Sequence, residues 1–135
     1  INKLSDFFDI IYIHYEIKED LKKIYNMISN LKIIPGIVLH AKYEYKDLLK
    51  ITKNYSEILI LSVENPGQSG QDYLNKSTNL IKRINKIKNR SSFNLCVDGG
   101  LSIDQIKHLE CDKIVSASKI LKNEKSKKQI RKFQI

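Results

Sequence analysis

Cysteine is nearly missing from this chain of 135 residues, with Cys96 and Cys111 as the only two. Two thiols are too few for a disulfide framework or a cysteine-rich metal site. They read as reduced, buried side chains. Tryptophan is absent, and there are 2 prolines and 5 glycines. Where such scarce turn-formers cluster, they carry weight. No apolar run approaches the roughly 18–20 residues that a membrane span needs. Asp6 and Asp9 break up the apolar residues at the N-terminus, so no signal-peptide pattern is seen there. A cytoplasmic protein with no membrane partner is expected.

Arginine is scarce too, limited to Arg83, Arg90 and Arg131. That matters because the net charge is +9, which makes nucleic acid the first suspect. The lysines instead sit on the outer faces of helical patterns, as in "LIKRINKIKNR". No arginine cluster is interleaved with aromatics, so no specific nucleic-acid partner is expected. Lys, Ile and Asn crowd the whole chain, as they do when an A/T-rich genome drives composition. The densest basic run, "KNEKSKKQIRK", reads as a solvated last helix or tail.

What is present is an alternation. Five β-rich runs stand out: "FDIIYI" (8–13), "GIVLH" (36–40), "EILILS" (57–62), "FNLCV" (93–97) and "KIVS" (113–116). They are nearly continuous apolar runs, as in parallel strands buried on both faces. Helical patterns lie between them, over 19–30, 44–54 and 72–90. Leu21, Ile24, Tyr25 and Ile28 share one face of the first; Leu48, Leu49 and Ile51 are the apolar positions of the second. A fourth helix opens at Ser102, where Gln105 three residues on predicts a capping box. The fold class is α/β, with parallel strands and right-handed crossovers. The length suits a single domain over 1–135 and is short for a closed eight-stranded barrel. The first residue is Ile1 rather than Met, which reads as a piece of something longer.

In such folds chemistry sits at the carboxyl ends of the strands. "SVENPGQSGQ", "VDGG" and "SAS" therefore belong on one rim. Small residues at three strand ends let backbone N–H groups approach an anion, and phosphate is the natural ligand. Asp98 ends an apolar run and two glycines follow it. Taken alone, that is either a site carboxylate or an Asp-Gly turn.

"LSVENPGQSGQDYL", then "CVDGG", then "IVSASKIL" resemble the ribulose-phosphate 3-epimerase family. Its sixth-strand signature, Met-Ser/Thr-Val-Asn/Asp-Pro-Gly-Phe-Gly-Gly-Gln, is followed by Ser62, Val63, Pro66, Gly67, Gly70 and Gln71, with Leu61 at the Met position. Its Val-Asp-Gly-Gly is met by Val97, Asp98, Gly99 and Gly100, and its last-strand pattern aligns with Val115 to Leu121. "DIIYIHYE" looks like the fourth strand with its His-x-Glu, and "PGIVLHAKYEYKDLLKI" like the fifth with its helix.

The resemblance covers nearly the whole chain as strands four to eight of a (β/α)8 barrel, here a partial barrel of about five units. It implies interconversion of ribulose and xylulose 5-phosphates, in pentose phosphate metabolism, by proton abstraction at C3. A divalent metal (Zn, Fe, Mn or Co) would stabilise the enediolate. The resemblance makes Asp98 both the catalytic acid/base and a metal ligand. It places the substrate phosphate on Gly70, Gly99, Gly100, Ala117 and Ser118.

Some positions depart from the family. "SVENP" is one residue longer than usual, and Gln68 and Ser69 replace Phe-Gly. Ala117 stands for a Gly, and its methyl could crowd the phosphate. Lys119 stands for a small residue, pointing either outward or toward the anion. His40 replaces a polar residue, usually Asn, and reads as packed or solvated at its strand end; His108 reads as a surface residue. The other metal ligands, two histidines and an aspartate, belong to strands two and three, which have no counterpart here. The fragment alone is therefore expected to be inactive, and its open sheet edges invite self-association. Three further readings stay open: a non-catalytic barrel that binds sugar phosphate or a partner protein, a hexulose 6-phosphate epimerase, and a basic nucleic-acid-binding domain.

Overall fold

The five apolar runs lie side by side as one parallel sheet. The structure, a computed structural model, describes residues 6–121. Its strands are β1 (Ile10–His14), β2 (Ile34–His40), β3 (Glu57–Leu61), β4 (Asn94–Asp98) and β5 (Lys113–Val115), in spatial order β1-β2-β3-β4-β5. Each crossover carries a helix: α1 (Leu21–Asn30), α2 (Leu48–Lys53), α3 (Lys76–Asn85) and α4 (Ile103–Ile106), with α5 (Ser118–Leu121) after the last strand. This is the parallel α/β arrangement that the alternation predicts, and its sequential strand order is that of the partial barrel the resemblance implies. The run "KNEKSKKQIRK" lies outside the described residues.

Helix starts follow local chemistry. Asp20 and Asp47 accept the backbone N–H groups of Lys23 and Lys50 and cap α1 and α2. Ser102 and Gln105 form the expected capping box. Two helices are shorter than their periodicity suggests. Leu49 on α2 is 40% exposed rather than part of the apolar face. Residues 72–75 belong to the loop before α3, because the Leu74 N–H bonds back to the Ser62 carbonyl at 2.8 Å.

The sheet has two distinct faces. Ile37, Leu39, Ile58, Ile60, Leu95 and Val97 point toward the helices and are fully buried with Ile84 of α3. On the other face the register lays residues out in rows. Tyr12 pairs with Gly36, and Glu57 with Asn94, at the floor. Val38, Leu59, Cys96 and Lys113 form the middle row. His40, Leu61, Asp98 and Val115 form the row at the carboxyl rim. Such layering is how a barrel interior fills.

The floor is tied by charge. Glu57 is buried and accepts from Tyr12 Oη (3.1 Å), Asn94 Nδ2 (2.7 Å) and Lys113 Nζ (2.9 Å). Four strands are thereby linked through one carboxylate. Gly36 makes room, since a Cβ there would sit 2.5 Å from Cδ1 of the Tyr12 ring. The strand expected to be buried on both faces is not always so. Every residue of β5 is exposed, because it forms an edge of the sheet.

Candidate functional site

Asp98 is the last residue of β4, and the next two residues turn the chain sharply. Gly99 has φ +110 and Gly100 has φ +68, both in the left-handed region that favours glycine. Space decides the matter as well. A Cβ on Gly99 would lie 2.5 Å from Cγ1 of Val63, and one on Gly100 would run into the Asp72–Tyr73 backbone. The two glycines let the loop after β3 close against the loop after β4.

Ser62 locks that approach. Its N–H donates to the Asp98 carbonyl at 2.8 Å, and its hydroxyl lies 2.6 Å from the same oxygen and 2.8 Å from the Gly99 carbonyl. Gln71 shapes the loop from within. It accepts from the Asn65 N–H (2.8 Å) and donates to the carbonyls of Asn65 (2.6 Å) and Gln68 (2.7 Å). Gly67 and Gly70 supply the positive φ values, +85 and +80, and a Cβ on Gly70 would meet nothing within 4 Å. Gly70 is therefore required by conformation and faces open space. Sequence reasoning assigned no task to Ser62 or Gln71, although both lie in the motif that carried the resemblance.

A cavity of about 310 Å³ opens between these loops and the end of β5. Asp98, Gly70, Gly99, Gly100, Ala117 and Ser118 all line it, so one cavity brings together the carboxylate and the phosphate positions that the resemblance implies. Leu61, Gln68 and Lys119 also line it. Burial pushes the Asp98 carboxyl above its ordinary value. Below it in the sheet, burial first, and then the Asp98 charge, push the Cys96 thiol up to about 11. That thiol is buried and unreactive. Cys111, in contrast to the expectation, is only partly buried.

His40 does not line this cavity. It is packed as expected, with its Nδ1 accepting the Lys42 N–H at 3.2 Å and its backbone N–H donating to Glu16 at 3.3 Å. Burial, then Lys42, lower its pKa, so the ring is neutral at pH 7. Glu16 also receives the Tyr45 hydroxyl and lies 3.7 Å from His14. This group braces the ends of β1 and β2. His108 is exposed, as read.

The divalent metal fares differently. Among the described residues, no three His, Cys, Asp or Glu side chains converge to hold one. The row neighbours of Asp98 are Leu61 and Val115, which have no donor atoms to offer. A lone carboxylate does not meet the coordination needs of a divalent ion. The described residues do not by themselves fit the metal.

Comparison with known proteins agrees with the geometry. The model of the ribulose-phosphate 3 epimerase family matches residues 1–121. Two curated relatives are similar, both named ribulose-phosphate 3-epimerase, from two strains of Helicobacter pylori. They are 34% and 32% identical to this chain over 135 residues, covering 93% of it. The chain spans 59% of the length of each relative. A family match over most of the chain, with relatives above 30% identity, decides the matter: the chain belongs to the ribulose-phosphate 3-epimerase family.

Proposed function

We propose that this chain supplies one acid/base group and the phosphate cradle of an enzyme that interconverts D-ribulose 5-phosphate and D-xylulose 5-phosphate. The observation that carries the reading is Asp98, whose carboxyl has a raised pKa and shares one cavity with four left-handed glycines. The proton on C3 lies beside the C2 carbonyl, which makes it removable. The Asp98 carboxylate takes that proton, the electron pair moves to the carbonyl oxygen, and an enediolate forms. Returning a proton to the opposite face of C3 completes the inversion. The phosphate rests on Gly70, Gly99, Gly100, Ala117 and Ser118, which line the cavity and whose small side chains let an anion approach the backbone.

Among the described residues the cavity is lined by one carboxylate, that of Asp98. Inversion needs proton transfer on both faces of C3, and Asp98 serves one. Among the described residues, no group of three or more His, Cys, Asp or Glu side chains converges to hold a metal ion for the enediolate. This chain by itself is therefore expected to exchange the C3 proton slowly and to leave inversion unfinished. The test is deuterium uptake at C3 in deuterated water. Uptake above the background of Asp98→Asn supports the reading, and equal uptake by both proteins refutes it.

A further inference from the structure

We propose that Lys119 is the specificity residue for phosphate in this cavity, exchanging Asp72 for the phosphate dianion when substrate enters. The inference rests on the phosphate reading of the same cavity and deepens it. Among the described residues that line the cavity, Asp98 and Lys119 alone carry acidic or basic side chains. A ligand with a single dianionic group is repelled by the first and drawn to the second. Its phosphate end is therefore fixed at Lys119, which leaves its uncharged carbons for Asp98.

The present partner of Lys119 is easily given up. Its Nζ lies 2.5 Å from Oδ1 of Asp72, but the Asp72 side chain is 92% exposed while that of Lys119 is 33% exposed. An ion pair with a carboxylate in open water contributes little, whereas a phosphate dianion inside the cavity offers more charge and more acceptor oxygens. Asp72 immediately follows the Gly70–Gln71 wall of the cavity and packs with Tyr73 over Gly100. It holds the ammonium at the cavity until the ligand arrives.

Titration with inorganic phosphate, followed calorimetrically at fixed low salt, separates the outcomes. The 135-residue chain is expected to bind. Lys119→Ala is expected to weaken binding about tenfold, and Lys119→Arg to retain most of it. Asp72→Asn removes the competitor and is expected to tighten binding about two- to threefold. A chain that binds phosphate equally well with Lys119→Ala overturns the role of Lys119 alone. Asp72→Asn weakening binding as much as Lys119→Ala also overturns it, because the pair would then serve only to shape the loop. If the unmodified chain fails to bind phosphate, the cradle itself is refuted and this inference with it.

Discussion

Gly100 shows how much one residue decides. Its positive φ and the backbone of Asp72 and Tyr73 both exclude a side chain. Gly100→Ala is expected to destabilise the chain by about 1–3 kcal/mol and to open the wall of the cavity. Urea unfolding checks the first effect and phosphate titration the second. Glu57 decides acid stability in a similar way. Burial raises its pKa, but hydrogen bonds from Asn94, Lys113 and Tyr12 outweigh that, leaving it below its ordinary value of 4.5. A carboxyl depressed on folding stabilises above its unfolded pKa and loses that contribution as pH falls through its folded pKa. Stability is thus expected to fall below about pH 4.5, and Glu57→Gln to flatten that slope in urea melts taken at several pH values. At this scale the sequence was partly legible. Asp98 and the glycines were visible because only a few residue types can do their work. The direction of Lys119 was not visible, because it depends on a pairing with Asp72, far away in the sequence.

Elements were legible where burial is two-sided. The runs over 36–40, 57–62 and 93–97 are apolar because both faces of their strands are covered. β2 was read as starting at Gly36, yet it starts at Ile34 and carries Pro35. The missing N–H of Pro35 costs no ladder bond there, since pairing with β3 begins only at Ile37. β5 was found by its apolar residues, but Ile114 and Val115 are 36% and 47% exposed at the sheet edge. Periodicity overran α2 and α3, because loop residues continue the apolar spacing while bonding elsewhere. Two changes test the account of the elements. Ser102→Ala removes the capping box of α4 and is expected to cost about 1 kcal/mol. Ile84→Ala hollows the layer between α3 and the sheet and is expected to cost about 2–5 kcal/mol. Thermal melts of each variant measure both.

The described residues form an arc of barrel with β1 and β5 as its outer strands. β1 and β5 each leave one side of their backbone unpaired by another strand of the sheet. Such edges pair readily with another chain. Sedimentation velocity is expected to show larger species growing with concentration. A single sharp monomer with cooperative melting contradicts that. The same geometry bears on the proposed chemistry, in which Asp98 would serve one face of C3, while no second carboxylate is among the described residues that line the cavity. The most direct measurement therefore supplies D-ribulose 5-phosphate and D-xylulose 5-phosphate separately, in deuterated water, to the chain and to Asp98→Asn. The account predicts deuterium at C3 of one epimer only, with its configuration kept, and none with Asp98→Asn. Exchange in both epimers, or in neither above the Asp98→Asn background, contradicts it.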